Sequence, residues 1–240
     1  MELQFQVRMN PKLFLRDPDQ SELGRNIIRN SIELIHEMGF EHFTFKKLSQ
    51  QVGTTEASIY RYFENKHRLL VYIVDWFWTW MEYRILFLTN NMTDPYKKVS
   101  TIIRLLSSKD ADDPIYTHIN KDMLYNIVVL EGSKSYLTRH VTQDNQDQLF
   151  KPYKDLCGRI ASIFQECNKD YSYPRSLAST LLEMANYQYF FKKNLPSLTD
   201  LVDDRDDEKM VAFLEHLVFS SLNYSPKQNA VQASKDAQGS

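Results

Sequence analysis

The sequence predicts an all-α fold: an N-terminal three-helix unit built around a helix-turn-helix, with a larger helical domain behind it. Three observations carry this. Apolar residues recur at three- and four-residue spacing in segment after segment, the mark of amphipathic helices. Only six of the 240 residues are glycine, fewer than all-β proteins and glycine-rich phosphate loops usually need. The breaks between periodic segments carry helix signals: Ser21, Thr44 and Asn65 as N-caps, Gly39 and Gly53 as ends, and Pro95 in a first turn.

The first residues follow another rule. Leu3, Phe5, Val7 and Met9 alternate with Gln4, Gln6 and Arg8, a period of two that predicts a short extended segment. Asn10-Pro11 and Asp17-Pro18 mark loop. From the Ser21 cap, Ile28, Ser31, Ile32, Ile35 and Met38 form one stripe, widened by Ile27 and Leu34, and Gly39 closes the helix. Thr44 caps a second, short helix on which Phe45, Leu48 and Val52 face one way before Gly53 breaks it. Thr54 or Thr55 caps a third, ending near Arg61, and Asn65 caps a long fourth over 66–88. Further helices are predicted over 94–107, 117–131, 143–167, 174–193 and 206–222. Residues 225–240 hold almost no large apolar side chain and are expected to be disordered. The chain thus divides into an extension (1–19), a three-helix unit (20–65), a larger helical domain (66–224) and a tail (225–240).

Composition excludes several classes. Apolar residues at 42% and charged residues at 25% are ordinary for a globular protein, and the net charge of -2 excludes a basic nucleic-acid coat. Residues 1–70 hold ten Lys and Arg against nine Asp and Glu, so any DNA affinity depends on where the basic groups sit. The N-terminus lacks the uninterrupted apolar core of an export signal. The most apolar stretch, 69–88, is interrupted by Asp75, Glu82 and Arg84, which suits a buried helix better than a membrane span. Cys157 and Cys167 lie in one predicted helix, about 15 Å apart at its rise per residue and too far for a disulfide. Free thiols without an export signal predict a cytoplasmic protein. The six histidines show no metal-ligand spacing, and no nucleophile elbow, zinc-protease or phosphate-loop motif is present. No enzyme activity, metal or cofactor is expected.

The informative stretch is 39–66. It reads as two short helices around a tight turn at Gly53, where the reversal asks for a positive φ. Small Ala57 is expected to let the two helices approach closely. The first helix hides its apolar stripe. The second shows Thr55, Glu56, Ser58 and Arg61, side chains that suit base edges or phosphates. A helix-turn-helix shape also occurs outside DNA-binding proteins, so the shape alone says little. The typed residues say more. Gly39-Phe40, Thr44, Gly53, Tyr60-Arg61-Tyr62-Phe63 and Lys66 fall without a gap at the spacing of the tetracycline-repressor (TetR) family. Over about residues 22–70 the chain resembles that family's DNA-binding domain.

The resemblance implies roles. Thr44 is expected to bind a backbone phosphate at the start of the second helix. Thr55, Glu56 and Ser58 are expected to face the major groove, Tyr60 to set its hydroxyl on a phosphate, Arg61 to reach the DNA, and Lys66 to pair with another phosphate. Ile59 and Phe63 look like core, and Tyr62 is expected to pack. Glu56 departs from the pattern, since that position often carries a neutral or basic residue. It either accepts a hydrogen bond from a cytosine or turns outward as a helix N-terminal acid. Arg25 and Arg29 have two readings, phosphate contact or solvation. Residues 3–9 also have two, a minor-groove arm or a segment packed along the protein.

The resemblance further implies that 66–224 binds an effector and dimerises. The partners expected are double-stranded DNA, a second copy of the chain, and a small apolar or aromatic effector whose binding releases a repressor from a palindromic operator. The alternative is control by a protein partner without a small molecule. The helix after Lys66 is apolar nearly all round. Trp76, Trp80, Tyr83, Phe87, Tyr116, Tyr125 and Tyr187 are the candidates to line a cavity, with ordinary core packing the competing reading for each. His118, Asn126 and Asn186 are the polar candidates there. In the family the last two long helices form the dimer interface, and Ala178 and Ala185 would allow their close crossing.

Overall fold

The structure, a computed structural model, describes residues 9–107, 119–201 and 207–223. Among these, every regular element is a helix. The helices are α1 (Glu22–His42), α2 (Phe45–Val52), α3 (Glu56–Tyr60), α4 (Lys66–Thr89), α5 (Pro95–Ser107), α6 (Lys121–Glu131), α7 (Val141–Gln146), α8 (Lys151–Cys167), α9 (Pro174–Asn194) and α10 (Asp207–Asn223). Short 3-10 turns occupy Pro11–Leu13 and Pro18–Gln20 ahead of α1. The predicted strand over 3–9 and the tail 225–240 fall outside the described residues, apart from Met9, which is buried.

The chain packs as two units. Among the described residues the first comprises 9–86 and 119–156, so the helix-turn-helix shares a body with α4 up to Leu86, α6 and α7. The second comprises 87–107, 157–201 and 207–223.

In the first unit, α1 starts where the Ser21 hydroxyl accepts the Gly24 N–H at 3.1 Å. Ile27, Ile28, Ile32, Leu34 and Ile35 are buried. Buried Ser31 is satisfied by its own helix, donating to the Ile27 carbonyl at 2.6 Å. Gly24 passes so close to the preceding turn that a Cβ would lie 2.2 Å from the Pro18 carbonyl oxygen. Gly39, at φ 75, bends the last residues of α1 out of helical geometry. α6 lies along α1. Residues 69–78 of α4 are buried without a break, as the all-round apolar run predicts, and each large aliphatic side chain so buried contributes about 1.5–3 kcal/mol.

The predicted helix over 143–167 is two helices. α7 ends at Gln146, Gln148 takes φ 59, and α8 begins at Lys151. Pro152 explains the restart: without an N–H it cannot continue a helix and belongs in a first turn.

In the second unit, α10 packs on α5 and α9. Ala178 and Ala185 are fully buried within it, so the close approach they permit serves the unit itself. Cys157 and Cys167 are thiols, not joined in a disulfide. Burial pushes the Cys167 thiol up to about 11, which keeps it protonated at neutral pH. Among the described residues, no helix is long and apolar enough to cross a membrane.

Candidate nucleic-acid interface

α2 is set by its two ends. The Thr44 hydroxyl accepts the Lys47 N–H at 3.3 Å, and Phe45, Leu48 and Ser49 turn inward. At the other end Gly53 adopts φ 72, ψ 37. Its N–H reaches the Gln50 carbonyl at 3.3 Å, and the Thr54 N–H reaches that of Ser49 at 2.9 Å, bonds that satisfy orphan carbonyls at a helix end. A Cβ on Gly53 would meet nothing within 4 Å, so the backbone angle, not space, requires glycine. Gly53→Ala should cost about 1 kcal/mol by urea denaturation, and Gly53→Asn less because Asn tolerates this region. Equal, larger losses for both would point to crowding instead.

α3 is capped by Thr55, whose hydroxyl accepts the Ser58 N–H at 3.2 Å and pairs with the Ser58 hydroxyl at 2.9 Å. Ile59 is fully buried and anchors the helix. Thr55, Glu56, Tyr60 and Arg61 are exposed and Ser58 is half-buried. Hydroxyls that bond each other keep further hydrogen-bonding capacity, so Thr55 and Ser58 hold each other's orientation while still offering polar atoms. Ala57 is exposed, not wedged between the helices as its size suggested. Tyr60 is 49% exposed, and its ring stands edge-on to Phe45 at 4.9 Å. This contact sets Tyr60 against the first residue of α2.

Tyr62 and Phe63 are buried, and the Tyr62 hydroxyl meets that of Ser21 at 2.7 Å. Lys66 sits otherwise than a phosphate contact would. Its ammonium donates to the carbonyls of Phe40, Glu41 and Phe43 at 3.0, 3.3 and 3.2 Å. It also lies 4.7 Å from the centre of the Phe40 ring. An ammonium has three donors, and these carbonyls occupy all of them. Lys66 therefore caps the C-terminal end of α1, where a cation complements the helix dipole. α6 holds the same corner: the Glu131 carboxylate accepts the Phe40 N–H at 3.0 Å. Lys134 bridges Glu131 and Glu41 at 2.7 and 3.0 Å, and these carboxylates raise its own proton affinity.

Lys46 and Lys47 are exposed cations in the first turn of α2 that the sequence reading passes over. Their place two and three residues after the Thr44 cap was the available signal. Lys47 also donates to the His42 carbonyl at 2.9 Å. Arg25 is tied to the Asp19 carbonyl at 2.7 Å, and Arg29 is exposed.

The candidate cavity residues scatter. Trp76 and Trp80 are buried, and Tyr83 and Tyr125 are half-buried, all in the first unit. Phe77 joins two of them, its ring 5.7 Å from Trp80 and 6.1 Å from Tyr125. Trp78, which the helix phase sets on another face, touches Phe77 and Tyr153, each at 4.9 Å. Phe87 is 72% and Tyr187 49% exposed, and both belong to the second unit. Tyr116 and His118 fall outside the described residues. Asn126 bonds within α6, to the Asp122 carbonyl at 2.8 Å, and Asn186 is half-buried. Phe77, Trp78 and Tyr153 are the aromatic partners the sequence reading left out.

Residues 27–73 match the profile of the bacterial regulatory proteins of the tetR family. That span covers most of α1, the whole α2–turn–α3 unit and the start of α4. Over that span the chain is similar to the DNA-binding domain of the TetR family. No curated protein sequence matches it. Solved structures share the fold of this chain over most of its length. The fatty acid degradation regulator FadR from Bacillus halodurans superposes with a TM-score of 0.58 at 17% identity, covering 81% of this chain and 95% of that one. FadR from Bacillus subtilis, in complex with stearoyl-CoA, gives 0.58 at 19%, covering 79% and 96%. AibR, in complex with isovaleryl coenzyme A and operator DNA, gives 0.57 at 18%, covering 82% and 97%. At these identities the likeness shows the fold: an all-α chain with an N-terminal helix-turn-helix and a helical C-terminal part. The profile matched over 27–73 is that of bacterial regulatory proteins.

Proposed function

We propose that this chain is a regulator of the TetR family, a cytoplasmic, dimeric repressor that binds a palindromic operator and is released by a small apolar or aromatic effector. The observation that carries it is the exposed polar face of α3, whose Tyr60 ring packs edge-on against Phe45, the first residue of the Thr44-capped α2. In this reading Thr55, Glu56 and Ser58 read base edges, while Thr44, Tyr60, Arg61 and the added Lys46 hold phosphates. Lys66 keeps α1 and α4 in register behind them.

Dimerisation is supported by apolar side chains left open in the second unit, among them Tyr187 on α9 and Phe213 on α10, at 49% and 37% exposure. One short recognition helix reads few bases, and a two-fold pair doubles the contact. The rings around Phe77 in the first unit are the apolar material for an effector site. Two neighbours were solved with acyl-coenzyme A molecules, so acyl-CoA thioesters are the first compounds to test.

The purified protein should retard a palindromic fragment from upstream of its own gene, with half-sites about 34–36 Å apart. Arg61→Ala should lower the salt slope of binding by about one unit for every sequence. Glu56→Ala should instead change preference at one base position by about 1–3 kcal/mol. A strictly monomeric protein, or failure on every upstream fragment at low salt, would sink the proposal.

A further inference from the structure

The segment ahead of α1 runs as a strap across the first unit. Met9 and Leu13 are buried, and Phe14 stands edge-on to Tyr72 of α4 at 6.2 Å. At one end Asn10 donates through Nδ2 to the carbonyls of Asp147 and Gln148, at 3.0 and 3.2 Å. Lys12 pairs with the Asp147 carboxylate at 2.7 Å. These contacts close the C-terminal end of α7. In the middle, the Leu15 N–H donates to the Tyr62 carbonyl at 2.8 Å, and the Arg16 guanidinium lies 5.4 Å over the Tyr62 ring. At the far end Ser21 meets the Tyr62 hydroxyl.

Tyr62 stands two residues beyond α3. α7 is fastened a second time, to the start of α4: buried Asp144 receives Arg68 at 3.1 Å and His67 at 3.4 Å. Residues 61–65, which join α3 to α4, therefore lie between two sets of groups that are both fixed to α7. α3 has five residues, too few for a helix to hold itself. Its pose is set by what grips its ends, the Gly53 turn before it and Tyr62 after it.

We propose that residues 9–20 are a strap that positions the recognition helix, with Asn10 and Lys12 reading the place of α7 and Leu15 passing it to Tyr62. A displacement of α7 then moves the C-terminal end of α3. The strap's role in operator binding rests on the DNA-binding reading above, but its mechanics are tested apart from it.

The test uses the full chain. Asn10 and Lys12 lie at the rim, so Asn10→Ala/Lys12→Ala leaves the core intact. Hydrogen–deuterium exchange should speed up about tenfold in peptides 9–16 and 58–65 and stay unchanged in 45–53, which covers α2. Affinity for a duplex selected by the wild-type protein from a random library should fall about five- to tenfold. Loss of a cation near DNA would also weaken binding. The exchange of partners Lys12→Glu/Asp147→Lys separates the two causes, since it should restore both readouts relative to either single change. Faster exchange in 9–16 with 58–65 unchanged overturns the strap. If the wild-type protein selects no duplex, the DNA reading fails, and the exchange experiment still decides the mechanics.

Discussion

Lys66→Ala is expected to lower folding stability by about 3 kcal/mol and to weaken binding to all DNA sequences alike, without reducing the salt slope. The family resemblance implies the reverse pattern. A lysine paired with a phosphate releases a counterion on binding, so its loss lowers the slope by about 0.9 and leaves stability within about 0.5 kcal/mol. The structure gives the ammonium other work. Three carbonyls at the end of α1 converge on it at 3.0–3.3 Å. Hydrogen bonds to a charged group contribute about 1.5–3 kcal/mol each before discounting for the half-exposed site. Truncation leaves those acceptors facing one another behind the interface. Lys66→Arg should recover only part of the loss, because a planar guanidinium cannot point three donors at one corner as an ammonium does. Urea denaturation and binding titrations at several salt concentrations measure both quantities. A slope reduced by one unit in a variant of wild-type stability would return Lys66 to the phosphate.

That difference shows what the sequence can and cannot carry. Thr44, Gly53 and Thr55 were legible because caps and positive-φ turns are local chemistry, fixed by neighbours three or four residues away. Ile59 and Phe63 were legible because helical spacing assigns them a face. Lys66 was not, since its partners lie 23 to 26 residues back and converge only once α1 and α4 have packed. The break between α7 and α8 had a local signal, Pro152, outweighed by the apolar rhythm around it. The exposure of Phe87 had none: an all-round apolar helix does not say which rings its neighbours cover. Tyr187, on α9, lies on a face whose covering depends on helices distant in sequence. The strap was half legible. Asn10-Pro11 and Asp17-Pro18 marked it as loop, but its bonds to Asp147 and Gln148 join residues more than 130 positions apart.

Asp75→Asn should stabilise the protein, and more so as pH rises. Asp75 lies in α4 at 2% exposure, and among the described residues its Oδ2 has no hydrogen-bond partner. Burial raises its carboxyl well above the ordinary carboxylate range. In the unfolded chain the group ionises near pH 4, while the folded protein keeps the proton to higher pH. Across that window the folded state binds more protons than the unfolded one, so stability falls as pH rises. The amide has nearly the same shape and no proton to lose. At pH 3, where the acid is protonated in both states, the variant should match the wild type. At pH 7 it should be more stable by about 2 kcal/mol, the scale on which proteins penalise an unsatisfied buried polar group. Calorimetric melting from pH 3 to 8 reads the difference directly. A gap independent of pH would assign the effect to packing, and no gap would mean that the carboxylate finds a partner inside α4's surroundings.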